Sequence, residues 1–305
     1  MNKKTLVYGF ALLFAVLTSK AQNTDALFIS GFNNLQNNKI NEAIDDYTKV
    51  IALKPDYTDA YFNRAIAYVR LEKYKEAIND YTQVLLLKPD DENALLNRGM
   101  LYIDQKKNAN ALTDFNKALE INPGFSNVYY QRGLLYRQAG KDTAAMNDFN
   151  KFISLAPQSV AGYEALGGLY DQMEEYDAAI QTYSKILSID ATNARAYFNR
   201  AYDYDLVTKT ENALADYSQA IQYNEKYSDA FFNRAYIYND LNEFDKAIAD
   251  YDKVIEYEPD SPDAYFNRGI AKINAGRKHD GCSDIQKAAL LGDKTAKKYC
   301  AVNCK

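Results

Sequence analysis

Apolar residues along this chain recur with the period of an amphipathic helix. Tyr61, Ala65 and Tyr68 are spaced i, i+4 and i+7, and the same spacing returns after a short polar interval near Glu72. This spacing places the apolar side chains on one face of a helix, whereas a strand would alternate apolar and polar residues. Two such helices joined by a short turn bury their apolar faces against each other, so the pattern predicts an antiparallel helical hairpin.

The hairpin pattern repeats every 34 residues. The six residues Asp59–Arg64 read Asp-Ala-Tyr-Phe-Asn-Arg, and Asp263–Arg268 repeat them without change. A fixed period of this length, with two helices in each repeat, indicates stacked hairpins that present an extended binding surface. The phase defines eight repeats, which begin at Thr24, Thr58, Glu92, Ser126, Val160, Ala194, Ser228 and Pro262.

Small and aromatic residues recur at fixed places of the repeat, and a proline follows in five of the eight, with Ala191 and Glu225 at that place in the fifth and sixth. In the fourth repeat these are Tyr129, Arg132, Gly133, Tyr136, Ala145, Phe149 and Pro157. The repeats resemble tetratricopeptide repeats, although arginine usually replaces the family's leucine and tyrosine or phenylalanine its tryptophan. The resemblance implies an all-α fold, a right-handed α-solenoid superhelix of eight helical hairpins. We expect a single array over residues 22–305, with a closing helix at about 294–304.

The recurring arginine has a partner in its own repeat. Six arginines are each followed sixteen residues later by an aspartate: Arg64 and Asp80, Arg98 and Asp114, Arg132 and Asp148, Arg200 and Asp216, Arg234 and Asp250, Arg268 and Asp284. The fifth repeat lacks both members and has Leu166 and Thr182 instead, while the first has Asp46 but Ser30. We therefore expect each pair to join the two helices of one hairpin, where an ion pair fixes the register of the packing.

The first 21 residues stand outside the repeats and resemble a secretory signal peptide. Lys3 and Lys4 precede an uncharged run, and Ser19-Lys20-Ala21 supplies the small-x-small pattern that precedes a cleavage site, here before Gln22. We expect cleavage after Ala21, export to the periplasm or the cell exterior, and no transmembrane segment afterwards. An uncleaved anchor is the alternative, but the apolar run is shorter than the about 20 residues that span a bilayer.

Charge and composition narrow the classes of partner and chemistry. Cleavage would take three positive charges from a chain of net charge −5, leaving −8, so a nucleic-acid partner is not expected. His279 is the only histidine and lies in a predicted turn, and no glycine-rich phosphate loop is present. We therefore predict no enzymatic activity, no cofactor and no metal site.

Three cysteines lie at the C-terminal end, where an oxidising compartment would favour one disulfide and one free thiol. If the chain turns at Gly292, Cys282 lies opposite residue 302, within reach of either Cys300 or Cys304. A resemblance to the C-terminal ends of bacterial repeat proteins favours Cys304. The disulfide would attach the closing helix to the eighth repeat.

The first helix of each repeat is the candidate binding surface, because in the tetratricopeptide family it lines a concave groove. The sixth place carries an amide side chain in six repeats. An amide can both donate a hydrogen bond to a peptide group and accept one from it. The fifth and ninth places are mostly aromatic or aliphatic. The predicted ligand-binding residues are Asn63, Asn97, Gln131, Asn199, Asn233, Asn267, Phe62, Phe198, Tyr202, Phe232, Tyr236 and Phe266.

Structural roles compete with binding at these places. The amides could equally bridge neighbouring helices, and many of the rings could pack between hairpins. The twelfth place changes from apolar Leu35 to acidic Asp171 and Asp205, which suits a ligand with apolar and basic parts but is also typical of a hydrated helix face.

Two classes of function follow. The first is a scaffold that binds a polypeptide in the groove, in a secretion, motility or envelope-assembly complex. The alternative is a protein that binds a glycan or peptidoglycan by stacking sugars on the aromatic residues. Alanine at Asn199 and Asn233 would weaken the first activity and leave the second largely intact.

Overall fold

The computed structural model describes residues 23–304; the predicted signal peptide and its cleavage site therefore lie outside the described residues, as does Lys305. Every described element is an α-helix, and short turns connect the helices. The chain divides into two compact units, the first ending at Leu155 and the second beginning at Ala156. Whether both form the single array expected from the sequence stays a prediction.

The first unit contains four hairpins. Its helices are α1 (23–36), α2 (Ile40–Leu53), α3 (Thr58–Arg70), α4 (Tyr74–Leu87), α5 (Glu92–Asp104), α6 (Asn108–Ile121), α7 (Ser126–Gln138) and α8 (Asp142–Leu155). Hairpin 1 is α1 with α2, and the others follow in order. The first helices of hairpins 2 to 4 begin at the residues where the 34-residue phase places the repeats.

The second unit contains four more hairpins and a closing helix. Its helices are α9 (Val160–Gln172), α10 (Tyr176–Ile189), α11 (Ala194–Leu206), α12 (Thr210–Tyr223), α13 (Ser228–Asp240), α14 (Phe244–Tyr257), α15 (Pro262–Asn274), α16 (Lys278–Leu290) and α17 (Lys294–Asn303). Hairpins 5 to 8 run from α9 to α16. The expected fold class, eight tetratricopeptide-type hairpins followed by a closing helix, is confirmed.

Small residues at the eighth place let the two helices of a hairpin approach closely. A Cβ atom added to Gly133 would lie 2.7 Å from the Phe149 ring, and one added to Gly167 would lie 2.8 Å from the Tyr183 ring. In hairpin 8 the approach is between backbones, since a Cβ atom on Gly281 would lie 2.5 Å from the Gly269 carbonyl oxygen. The bulky residue at the twenty-fourth place thus fills the space above each small residue.

The expected arginine–aspartate pairs are confirmed in all six hairpins that carry them. Each guanidinium donates two hydrogen bonds to the aspartate of its own hairpin, at 2.6–2.9 Å. In hairpin 1, Ser30 donates to Asp46 at 2.7 Å, and in hairpin 5 Leu166 and Thr182 are buried without a charge. In hairpin 1 a hydroxyl therefore takes the place of the guanidinium as the donor to the aspartate.

Each of these arginines also binds the preceding hairpin, which the sequence reasoning did not predict. The third guanidinium nitrogen donates to a polar side chain sixteen residues earlier, for example from Arg98 to the Thr82 hydroxyl at 3.1 Å and from Arg200 to the Ser184 hydroxyl at 2.9 Å. Aromatic rings flank the guanidinium, with the Arg132 carbon 5.6 Å from the centroid of Tyr129. The arginine therefore fixes two contacts, one within a hairpin and one between neighbours.

The C-terminal end is closed by a disulfide between Cys282 and Cys304, which confirms the pairing favoured from resemblance. Cys300 is the free thiol, and it packs with Ile285 and Ala296 between α16 and α17. The closing helix thus joins the array by a covalent bond and by apolar contacts. Within residues 23–304, no helix combines the length and the apolar character needed to span a membrane.

Candidate functional site

The first helices of each unit expose a surface made of the sixth, ninth and twelfth places, which we call the first-helix face. The sixth-place amides are half-buried on it. Asn63, Asn97 and Asn267 each donate to the carbonyl of the residue four positions earlier, at 2.8–2.9 Å. One amide hydrogen is used in this bond, and among the described residues no donor reaches the amide oxygens. Each of these three amides therefore keeps one donor and one acceptor for a ligand.

Two further amides contact tyrosine hydroxyls of the preceding hairpin. Asn233 donates to the Tyr217 hydroxyl at 3.3 Å. Burial and then Asp171 raise the pKa of Tyr183, and the Asn199 amide acts in the opposite sense. These amides combine a bridging role with partial exposure. Gln131 is half-buried on α7.

The fifth-place rings pack between helices and lie beneath the exposed side chains of the face. Phe62 lies edge-on to Tyr81 with centroids 5.3 Å apart, and Phe232 lies edge-on to Tyr251 at 5.4 Å. Phe198 stacks on Tyr227 at 4.8 Å, and Phe266 contacts Tyr299 at 6.2 Å. Because the rings are half-buried, part of the surface of each stays accessible.

The ninth place provides the side chains that protrude most from the face. Tyr202 and Tyr236, together with Phe32 and Met100, keep 40–50% of their surface exposed. Large apolar or aromatic side chains left exposed at one repeated place are typical of a binding surface. Tyr202 and Tyr236 are among the site residues predicted from the sequence, whereas Phe32 and Met100, at the same place of the repeat, are not.

A cavity of about 220 Å³ opens on the face of the first unit, between α3 and α5. Ile66, Val69, Met100 and Leu101 line it, with Asn97, Tyr81 and Asp104 at its polar positions. An apolar pocket beside an amide can hold one apolar side chain while the amide pairs with the adjacent peptide group. Tyr81 is not among the predicted site residues, because the sequence pattern places a twenty-fourth-place ring in the core and only the packing brings it to the cavity.

The corresponding region of the second unit is acidic. The Tyr183 hydroxyl donates to Asp171 Oδ2 at 2.5 Å, and Asp203 lies against Asp171. Burial raises the pKa of Asp205, and the nearby Asp240 raises it further. Asp171, at the twelfth place, is half-buried. Within residues 23–304 no three acidic, histidine or cysteine side chains form a cluster that could hold a metal ion.

The chain folds as an all-helical repeat protein in which one helix of each hairpin exposes amide and aromatic side chains. Models described as "Tetratricopeptide repeat" match residues 62–124, 115–146, 160–193 and 199–255. A model described as "TPR repeat" matches 35–72 and 235–276. The chain belongs to the tetratricopeptide repeat family, whose members act as scaffolds for protein–protein interaction.

Solved structures of repeat proteins share the fold. The C-terminal part of a TPR repeat-containing protein from Cytophaga hutchinsonii is 22% identical, with a TM-score of 0.71 over 79% of this chain and 98% of that chain. The MamA protein is 27% identical, with a TM-score of 0.52 over 56% of this chain and 94% of its own. YrrB, described as a TPR protein with an unusual peptide-binding site, is 20% identical, with a TM-score of 0.54 over 61% of this chain and 97% of that chain. No curated protein matches the chain in sequence.

Proposed function

We propose that this chain is a non-enzymatic scaffold that binds an extended polypeptide along the first-helix face. The observation that carries the proposal is the cavity between α3 and α5, where an apolar pocket, the exposed Met100 and the half-buried Asn97 lie together. An extended chain offers peptide groups and apolar side chains at regular intervals, which matches this combination. The peptide-binding site named for YrrB supports the same use of the fold.

Affinity on such a face is the sum of modest contacts. Each amide–peptide hydrogen bond contributes about 0.5–1.5 kcal/mol net, so apolar anchors at the ninth place and in the cavity must supply much of the rest. The exposed rings of Tyr202 and Tyr236 supply such anchors in the second unit. A ligand that spans several hairpins would therefore bind better than a short one.

We propose the periplasm or the cell exterior as the location, in a secretion, motility or envelope-assembly complex. The proposal is supported by the signal-peptide pattern of residues 1–21 and by the disulfide between Cys282 and Cys304, since disulfides persist in oxidising compartments. Quantifying the mature protein in periplasmic, membrane and cytoplasmic fractions tests the location. A full-length chain that stays in the cytoplasm would contradict it.

Paired variants separate a polypeptide partner from a glycan. With the mature protein as bait on cell-envelope extracts, Asn199→Ala with Asn233→Ala removes two amide contacts, about 1–3 kcal/mol or roughly 5- to 150-fold in affinity. Tyr202→Ala with Tyr236→Ala removes the exposed rings and should also weaken capture. Leu86→Ala on α4 is the control, because Leu86 is 68% exposed outside the face.

The pattern of losses decides between the two candidates. A polypeptide ligand is expected to be lost from both paired variants and kept by Leu86→Ala. A glycan would be kept by the asparagine variant and lost from the tyrosine variant. A partner that binds the asparagine variant with unchanged affinity would contradict the proposed peptide contacts, provided that circular dichroism shows all the variants folded.

A further inference from the structure

Asp203 is a buried carboxylate at a place of the repeat where the other buried residues are all apolar. It is the tenth residue of its repeat, and its side chain is packed into the second unit with 1% of its surface exposed. The corresponding buried residues are Ala67, Leu101, Leu135, Leu169, Ile237 and Ala271. A carboxyl group has therefore replaced a hydrophobic side chain at the seam between α9 and α11.

The oxygen atoms at this seam lack donors. Among the described residues, no hydrogen-bond donor reaches Asp203 Oδ1 or Oδ2, and none reaches the buried Oδ1 of Asp171. Asp171 Oδ2 alone is satisfied, by the Tyr183 hydroxyl. Buried carboxylate oxygens without partners are costly, and a single proton would remove the cost, because one carboxyl group could then donate to the other.

The surrounding helices bring acids and tyrosines to the seam. The titratable groups whose charges interact with Asp203 are Asp171 from α9, Tyr176 and Tyr183 from α10, and Tyr217 from α12; Tyr202 and Asp205 are its neighbours along α11. In the described part of the second unit, no lysine or arginine forms an ion pair with either aspartate. The cations closest in sequence are engaged elsewhere, Arg200 with Asp216 and Lys209 with Asp177.

We propose that Asp171 and Asp203 form a proton-binding site between hairpins 5 and 6, in which the two carboxyl groups share one proton at neutral pH. Two negative charges without a cation repel each other in a buried seam, so the fully ionised pair pushes α9 and α11 apart. The proton is thus a ligand of the folded second unit. Its loss weakens the packing that positions Asn199 and Tyr202 on the first-helix face.

The pKa values of both aspartates are raised, which agrees with this geometry. Burial, and then the charge of Asp171, raises the pKa of Asp203 to about 8. Burial also raises the pKa of Asp171, while hydrogen bonds from Tyr183 and Asp203 act in the opposite sense. Since an aspartate in an unfolded chain has a pKa of about 3.9, the folded state holds a proton that the unfolded state releases. The stabilisation is complete below about pH 4 and is lost as the pH rises through about 8.

Thermal unfolding of the mature, disulfide-bonded protein as a function of pH tests the site. We expect wild type to lose stability relative to Asp203→Leu between pH 5 and 8, by up to tenfold in the folding equilibrium constant per pH unit. Leucine is the residue that hairpins 3 to 5 carry at this place. Glu211→Gln, an exposed acid on α12, is the matched control and should follow wild type at every pH. Parallel pH profiles for wild type and Asp203→Leu would overturn the proposal.

Infrared spectroscopy gives a readout that does not depend on the stability of a variant. At pH 6 the spectrum of wild type should contain a protonated-carboxyl band that is missing from Asp203→Asn, whose amide replaces the shared proton. The band should disappear as the pH is raised above about 8. A wild-type spectrum without this band at pH 6 would overturn the proposal even if Asp203→Leu failed to fold.

Discussion

Replacing Asp114 by alanine is expected to lower the free energy of unfolding of the first unit by about 3–5 kcal/mol. The change leaves the half-buried Arg98 guanidinium between α5 and α6 without the carboxylate that accepts two of its hydrogen bonds, at 2.8 and 2.9 Å. Only the bond to Thr82 would remain. Because a repeat array can unfold in parts, amide hydrogen exchange in α5 and α6 is the suitable measurement, with urea unfolding beside it.

A double variant provides the control that the chain itself suggests. Hairpin 5 replaces the charged pair by Leu166 and Thr182, both buried. Arg98→Leu with Asp114→Thr introduces the same two residue types into hairpin 3. Its free energy of unfolding should stay within about 1 kcal/mol of wild type, because no charge is left without a partner. If Asp114→Ala proved as stable as the double variant, the ion pair would not be the element that fixes this seam.

Loss of the disulfide is expected to release the closing helix. The bond joins residues 22 positions apart, a separation for which the loss of chain entropy corresponds to about 3 kcal/mol. α17 has only ten residues and would be marginal without it. In Cys282→Ser we expect the amides of α17 to exchange much faster, with little change in α9 to α12.

The free thiol offers a matched comparison. Cys300→Ser leaves the disulfide intact and removes only a partly buried sulfur, so protection of α17 should stay close to that of wild type. Equal protection of α17 in wild type and Cys282→Ser would show that apolar packing alone holds the closing helix.

The sequence was sufficient to predict the hairpins and the pairing within each of them. Helix starts at Thr58, Ser126 and Pro262 follow from the 34-residue period, which is local information. The partners of Arg64 and Arg98 could be predicted because both members lie in one repeat. The additional bond to the preceding hairpin could not, since it depends on how neighbouring hairpins rotate against each other.

The site was predicted less completely, for physical reasons. The sixth-place amides lie on the expected face, but the bond from Asn97 to its own helix depends on a side-chain rotamer that spacing does not determine. Asp203 was missed although the sequence contained the signal, a carboxylate in register with Leu101, Leu135 and Leu169. Whether such a residue lies in the seam or in water is decided by packing between hairpins.

Site-specific photocrosslinking tests the central claim, that the first-helix face binds a polypeptide. A photoreactive phenylalanine derivative would replace Met100 in one variant and Tyr236 in another, both exposed at the ninth place, and Leu86 on α4 in a third as control. After irradiation in the producing cells, the account predicts crosslinks to a polypeptide from positions 100 and 236 and none from position 86. Crosslinks to that polypeptide from position 86 alone would contradict it.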